Sequence, residues 1–282
     1  YTTLFRSESG FFSNYYYDSA LTHDSTQYRD FNSYAGIRLN EGFNKFSQFG
    51  IGAFIGYERQ HYILLQDSTN LSYINRNHYS NNVWVGGQLS RHLSSILTFD
   101  ANIRTAISGD KVGDIDINGT VQTVIPFGKK RPETGLRSDS VIIQAGGFIR
   151  NSRVSYLMDH YFSNHFRWNN DFDREQRVRI EGKISYPRTQ TSVRVGIEHI
   201  NNFHYFGEDF LPAQYGNQLD IFGLEIRQGL HAGKWLNWDN AVLVQTSTDE
   251  DVLSLPNVSI ESDLSFRFTI ARTLHIQAGV AG

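Results

Sequence analysis

The feature of this 282-residue sequence that most limits its fold is an alternation of apolar and polar residues with period two. Between Arg177 and Ser185 the charged or polar residues fall at odd positions, and apolar residues or glycine fill the even ones. The same pattern recurs at 97–104, 193–198 and 264–270. A helix turns about 100° per residue and would mix the two classes, whereas a strand points successive side chains to opposite faces. The sequence therefore predicts strands with one apolar and one polar face.

Thirteen segments with strand character cover most of the chain. They are predicted at 33–39, 49–59, 83–91, 96–107, 114–125, 141–150, 154–166, 177–186, 191–200, 219–230, 238–247, 258–270 and 274–281. Short connections such as 187–190 alternate with long ones such as 201–218, a pattern typical of outer-membrane β-barrels. The connections 108–113 and 126–140 break the alternation, which indicates either one wrongly assigned strand or an interrupting bulge or plug.

The composition leaves two classes of all-β protein, a soluble one and an outer-membrane barrel. Mean hydropathy is −0.41, and the longest apolar runs fall far short of the roughly 18 residues of a spanning helix. The net charge of −3 lacks the basic excess of nucleic-acid-binding proteins, so no nucleic-acid partner is expected. Cysteine is absent, which rules out disulfides and thiolate zinc sites.

The predicted fold is all-β, an antiparallel up-and-down transmembrane β-barrel, with a soluble β-sandwich or barrel as the alternative. The chain opens at Tyr1 without the basic and apolar stretches of a secretory signal, and it stops at Gly282 in mid-alternation. We therefore expect residues 1–282 to be a single barrel segment of about 12–14 strands, incomplete at both ends.

Aromatic residues near the ends of predicted strands fit a membrane, because Tyr and Trp collect where an apolar band meets lipid headgroups. Those beside the short turns are Tyr186, Trp235 and Trp238. Those beyond the opposite end of the 191–200 strand are Phe203, Tyr205 and Phe206. The alternative is that the same rings cap a soluble core.

Charged residues on the polar faces are the candidate lumen lining. The predicted lumen-facing side chains are Arg177, Arg179, Glu181, Lys183, Arg194, Glu198 and Arg267, with Glu225 and Arg227 beside them. Rows of both signs would create a field that acts on small polar solutes. The alternative is that they form salt-bridge ladders that brace the wall without selecting a solute.

Candidate catalytic and metal-binding chemistry is sparse, and neither a catalytic residue, a metal ligand nor a cofactor is predicted. His160 and His165 are five apart, so on a strand they would point to opposite faces and could not chelate one metal. Acidic loops at 208–209 and 249–251 offer oxygen ligands for Ca²⁺, but they lack the spacing of an EF-hand. The common hydrolase and phosphate-binding motifs are missing. A hydrolase site assembled from dispersed residues remains open.

Several stretches of the sequence resemble the Bacteroidota putative porin family. They are the stretch from Tyr156 to Phe172 with the strand that follows, the stretch from Asp251 to Arg272, and the early segment from Tyr15 to Arg29. The resemblance spans most of the chain and implies a large outer-membrane β-barrel for passive diffusion. It supplies no functional residues to carry over.

The sequence thus predicts an outer-membrane porin that lets small polar solutes diffuse passively through a charged lumen. Expected partners are outer-membrane lipids and lipopolysaccharide, together with further copies of the chain or other outer-membrane proteins and lipoproteins. A plugged or structural barrel subunit of a larger complex is one alternative. An outer-membrane hydrolase is the other.

Overall fold

The computed structural model describes residues 3–5, 12, 14–16, 19–20, 22–43, 48–64, 77–93, 96–130, 137–233, 235–271 and 273–282. Its strands are β1 (Thr3–Phe5), β2 (Thr22–Asp24), β3 (Gln27–Leu39), β4 (Gly50–Ile63), β5 (Asn77–Arg91), β6 (Leu97–Ser108), β7 (Ile115–Lys130), β8 (Arg137–Ser152), β9 (His160–Phe162), β10 (Arg167–Asn169), β11 (Glu175–Tyr186), β12 (Thr191–Asn201), β13 (Phe203–Phe206), β14 (Pro212–Tyr215), β15 (Leu219–Ala232), β16 (Leu236–Ser247), β17 (Val258–Ile270) and β18 (Leu274–Ala281). A single helical turn, α1, covers Tyr156–Asp159, and a 3-10 turn covers Pro187–Thr189.

Twelve strands form one antiparallel sheet, in the order β18-β17-β16-β15-β12-β11-β8-β7-β6-β5-β4-β3. Each strand pairs with the sheet strand that precedes or follows it in the chain, so the sheet is an up-and-down meander. This confirms the predicted all-β, up-and-down barrel fold. Among the described residues β3 and β18 are not paired with each other, and the sheet is open between them. The small pairs β1-β2, β9-β10 and β13-β14 lie outside it.

Strand register gives the sheet two chemically distinct faces, because directly opposed residues point to the same side. The polar face carries the odd positions of β11, from Arg177 to Lys183, and their opposed neighbours such as Glu198. The apolar face carries the even positions, including Ile180 and Ile184, with neighbours such as Ile197. The period-two alternation of the sequence thus produces one polar and one apolar face, and both continue across all twelve strands.

The predicted strand 154–166 is wrong. That stretch forms α1, β9 and the turn that leads into β10, outside the main sheet. The local reason is that its polar residues are satisfied within the segment: Asp159 is buried and accepts a hydrogen bond from the backbone of Phe172. Leu157 and Phe162 pack into a small apolar cluster instead of alternating across a wall.

Removing that strand assigns the long connections 153–174, 202–218 and 248–257 to one end of the sheet, although 109–114 at that end is only as long as 131–136 at the other. Strands β7 and β8 also extend beyond their predicted ends, so the connection between them shrinks to six residues, 131–136. The turn end of the sheet then holds the connections 40–49, 92–96, 131–136, 187–190, 233–235 and 271–273. The loop end holds 64–76, 109–114, 153–174, 202–218 and 248–257. The wrongly assigned strand therefore accounts for the inconsistency at 126–140, whereas 109–114 stays short for its end of the sheet.

The sheet curves toward its polar face. Buried side chains of the strands, among them Trp84, Glu198, Ile200 and Leu219, lie on that face. Apolar residues of the other face are exposed, and Ile180 retains 64% of its accessible surface. The described residues contain no helix that is long and apolar enough to cross a membrane.

Candidate pore lining

All seven predicted lumen residues lie on the polar face. Arg177, Arg179, Glu181 and Lys183 alternate along β11, and the register places Arg179 opposite Glu198 and Lys183 opposite Arg194. Following the register through β15 and β16 to β17 brings Arg267 to the same face. The geometry therefore gathers these residues on one surface, and whether solutes pass along that surface stays a prediction.

Five of the seven residues form ion pairs with carboxylates or guanidiniums on the same face. Arg177 lies 2.5 Å from Glu198, and Arg179 lies 3.0 Å from Glu181 and 3.8 Å from Glu198. Arg194 lies 3.6 Å from Glu225 of β15. Glu198 is the centre of this group, because two guanidiniums share its mostly buried carboxylate. The wall carries the salt-bridge ladder that was one of the two hypotheses.

Lys183 and Arg267 differ from the other five. Within the described part of the chain neither has a carboxylate oxygen within 4.0 Å, although Arg267 donates to the side-chain oxygen of Gln277 at 3.1 Å. Lys183 stands opposite another cation, Arg194. These two positive charges have no ion-pair partner among the described residues, and neither do Asp239 and Asp263, which oppose each other on the same face.

The ladder continues on strands that sequence analysis did not single out. Asp116 of β7 lies 3.4 Å from Arg104 of β6 and 3.1 Å from Arg150 of β8. Both arginines oppose Asp116 directly in the register. The sequence already shows these residues as polar positions in the alternation of β6 and β7. Which of them form ion pairs depends on the cross-strand register, which the alternation does not give. The charged row therefore runs across at least four neighbouring strands, β6, β7, β8 and β11.

The apolar face has the dimensions of a lipid-facing band. On β11 it extends between the polar Gln176 and the aromatic Tyr186, ten residues apart, which is about 33 Å along a strand. At a strand tilt of about 40° this corresponds to roughly 25 Å, the height of the apolar band of outer-membrane barrels. On a soluble protein, an exposed apolar surface of this extent would mark a contact site for a partner or a membrane.

The predicted aromatics are placed differently at the two ends. At the turn end Tyr186 and Trp238 lie on the apolar face, and the ring of Trp235 stacks against Phe266 at 6.2 Å. At the loop end Phe203, Tyr205 and Phe206 belong to the β13-β14 hairpin, outside the main sheet. Aromatic residues that do lie on the apolar face near the loop end are Phe31, Tyr57 and Tyr79.

The connection 153–174, which we call the inward segment, lies over the polar face. The ring of Tyr156 stacks on His78 of β5 at 3.9 Å and lies 5.0 Å from Tyr62 of β4. Both partners belong to the polar face, and they are three and four strands away from β8, where the segment begins. The segment therefore reaches across the concave side of the sheet at its loop end.

A cavity of about 610 Å³ lies between the inward segment and the wall. Its walls come from the polar face of β3, β4 and β5, from the 109–114 connection and from residues 153–160. Burial raises the pKa of Asp159 at its edge, although Arg153 lies 4.0 Å away. Burial also raises the pKa of Tyr156.

A hydroxyl–histidine contact, which the hydrolase hypothesis requires, occurs at the tip of the inward segment. Thr22 Oγ1 lies 2.6 Å from His165 Nε2, and the other ring nitrogen lies 3.0 Å from the carbonyl oxygen of Asn14. Both residues are buried, at 7% and 8% exposure, and Phe12 stacks on the imidazole at 4.0 Å. The contact holds the segment against Asn14 and against Thr22 of β2.

The acidic loops use their carboxylates to order the backbone. Asp249 accepts hydrogen bonds from the backbone amides of Asp251 and Val252 and from the hydroxyl of Tyr215. Asp209 accepts from the amide of Leu211. In the described part of the chain no three His, Asp or Glu side chains come together as a set that could hold a metal ion.

Comparison with known proteins agrees with this architecture. The model of a family described as "Putative porin" matches residues 2–282. Among solved structures, the siderophore receptor PirA from Pseudomonas aeruginosa is similar, with a TM-score of 0.66 and 9% sequence identity. The match covers 93% of this chain and 55% of the receptor, so the chain spans about half of its length. At this identity the likeness concerns the fold alone. No curated protein matches the chain.

Proposed function

Because the chain belongs to the family described as "Putative porin", we propose that it forms the wall of an outer-membrane pore through which small polar solutes diffuse passively. The observation that carries this proposal is the separation of the two faces. Charged residues of both signs lie on the concave polar face, and an apolar band covers the convex one. Lipid would cover the band, and water would fill the space along the charged face.

The proposal requires the sheet to close. In hydrocarbon, each unpaired backbone group costs several kcal/mol, so the edges β3 and β18 need partners. We propose that further strands pair with both edges. A barrel of sixteen or more strands leaves an aqueous channel, whereas a barrel of about eight is filled by its side chains.

The proposed pore acts on solutes through charge and has no enzymatic role. Most guanidiniums of the wall are neutralised by the ladder, so the field would come mainly from charges without an ion pair, such as Lys183 and Arg267. In the described part of the chain, Asp239 and Asp263 of the same face also lack ion-pair partners, so the field is weak and of mixed sign, and its selectivity between small ions is modest.

Planar-bilayer conductance tests the proposal. The full-length native protein, purified in detergent, is inserted into a bilayer that separates two salt concentrations. Reproducible current steps are expected, and the reversal potential reports the sign of the field. Silence from protein shown to be folded would contradict an open pore and would favour a plugged or structural barrel.

Charge reversal on the polar face is the sharper test. Arg179→Glu and Arg194→Glu should move the reversal potential toward cation selectivity, and Lys183→Glu should move it further, because Lys183 has no ion-pair partner in the described chain. Arg188→Glu is the matched control, since this arginine sits in a turn and pairs with Asp139. Equal reversal potentials for all four variants would place the polar face outside the conduction path.

The proposed location is the outer membrane of a Gram-negative cell, in contact with lipid and lipopolysaccharide. Extraction separates this from a soluble sandwich: an integral barrel resists urea and carbonate and is released by detergent. We also propose association with further copies or with other outer-membrane proteins and lipoproteins through the loop end. A pull-down in mild detergent that yields only the monomer would contradict this association.

A further inference from the structure

The cavity under the inward segment has the size and composition of a small-molecule site. Its volume of about 610 Å³ falls within the range of about 300–1,000 Å³ that such sites occupy. Five ring-bearing side chains line it. They are Tyr28, Tyr62, His78, Tyr156 and His160. Aromatic rings beside a few polar groups are the usual composition of a site that fixes a ligand's orientation.

The charged groups around the cavity are already engaged in contacts. Lys111 and Arg153 each have a carboxylate partner within 4.0 Å, and Asp110 contacts the imidazole of His78, whose pKa is lowered by burial. The pairs are His78 with Asp110 at 3.1 Å, Lys111 with Glu58 at 2.9 Å, and Arg153 with Asp159 at 4.0 Å. A charged ligand would have to compete with these pairs, so the cavity favours an uncharged one.

The polar groups left over are hydroxyls and ring nitrogens. Among the described residues the hydroxyl of Tyr156 has no hydrogen-bond partner, although its ring is fixed by stacking on His78. Gln60 links the hydroxyls of Tyr28 and Tyr62 at 2.9 and 3.3 Å. Tyrosine hydroxyls both donate and accept hydrogen bonds, and their rings offer apolar faces. A ligand with many hydroxyls and with C–H faces matches both properties.

We propose that this cavity binds a neutral saccharide on its way along the polar face. The proposal rests on the pore function above, because the site lies on the wall of the proposed passage. The rings of Tyr28, which is 49% exposed, and of Tyr156 contact the C–H faces of the sugar. The free hydroxyl of Tyr156 and the hydroxyl of Tyr28 bond to its hydroxyls.

The test measures maltotriose binding in two ways on the full-length native protein. Calorimetric titration in detergent gives the dissociation constant, and saccharide-induced reduction of the ion current in a planar bilayer gives an independent value. Free glutamate and free lysine serve as charged solutes of smaller size. Maltotriose is expected to bind and to reduce the current, and the two charged solutes are expected to do neither.

The diagnostic variant is Tyr156→Phe, which keeps the ring that stacks on His78 and removes the unpartnered hydroxyl. Its affinity for maltotriose should fall about 3- to 10-fold, the loss expected for one hydrogen bond. Tyr215→Phe is the control, because that hydroxyl bonds to Asp249 away from the cavity. Equal affinities of the two variants would overturn the assignment of the site.

The outcomes separate the two proposals. Current steps without maltotriose binding would overturn the saccharide site and leave the pore intact. Binding that is weakened by Tyr156→Phe in a protein that never conducts would support the site and overturn the pore. Stronger binding of glutamate or lysine than of maltotriose would overturn the neutral-ligand assignment.

Discussion

A lysine at the centre of the apolar face tests whether that face contacts hydrocarbon. Val195 lies at the middle of β12 with 45% of its surface exposed, opposite Gly182. The nearest polar side chains on its face of the strand are Thr191 and His199, each four residues or about 13 Å away. A lysine at this depth costs about 2–4 kcal/mol in a membrane barrel, against about 0–1 kcal/mol near the interface.

The matched variants isolate the effect of depth. Thr246→Lys places the same charge on the same face at the loop end of β16, where the side chain makes only a long 3.5 Å contact with a neighbouring carbonyl. Val195→Met removes the β-branch without adding charge, which controls for strand propensity. We expect Val195→Lys to lower the free energy of unfolding by about 2–3 kcal/mol more than Thr246→Lys does.

The assay is reversible guanidinium unfolding of the full-length native protein in lipid vesicles, followed by tryptophan fluorescence. Unfolding free energies come from linear extrapolation of the two-state transition. In water an exposed valine tolerates lysine within about 0.5 kcal/mol. Losses that agree within that margin for Val195→Lys and Thr246→Lys would therefore refute a lipid-facing band.

Three further predictions concern the charged groups. Glu198→Gln should shift the reversal potential toward anions, since Arg177 and Arg179 lose their shared partner; an unchanged potential would contradict their place in the lumen field. Burial raises the pKa of Asp159 above its ordinary 3.8, so the folded segment favours the protonated carboxyl. The inward segment should therefore lose stability as pH rises from 3.8 through the raised pKa. Asp159→Asn should flatten this dependence in hydrogen exchange, and an unaltered profile would argue against it. The backbone amides of His92 and Leu93 donate to Glu41 and lower its pKa below the ordinary 4.5. The ionised carboxylate therefore stabilises the turn fully above pH 4.5, and this stabilisation is lost as pH falls through the lowered pKa. Glu41→Gln should remove the acid-dependent opening of this turn, measured by the same exchange experiment.

The sequence predicted the wall of the molecule well because a local rule determines it. Period two assigns every strand residue to one of two faces, and so Arg177 and Arg267 could be placed on the same surface from ninety residues apart. Their ion-pair partners could not be predicted. Pairing of Asp116 with Arg104 and Arg150 depends on cross-strand register, which the turns set and the alternation does not encode.

The inward segment escaped prediction for a different reason. Its residues from Val154 to Phe166 contain enough apolar and aromatic side chains to look like a strand. What keeps the segment off the sheet is a set of tertiary contacts, such as Tyr156 against His78 and Asn164 against Asp24. No short window of sequence carries that information, and so the cavity beneath the segment was missed too.

The hydrogen bonds that hold the inward segment in place also suggest the order in which the parts of the structure form. Each pairing in the sheet joins two sheet strands that follow one another along the chain. Each hairpin therefore closes a comparatively short loop at little entropic cost. The contacts of Thr22 with His165 and of Asn164 with Asp24 close loops of 143 and 140 residues. Contacts of such high sequence separation form slowly. We therefore expect the hairpins to form in succession and the inward segment to pack over them only after β3 to β8 have paired.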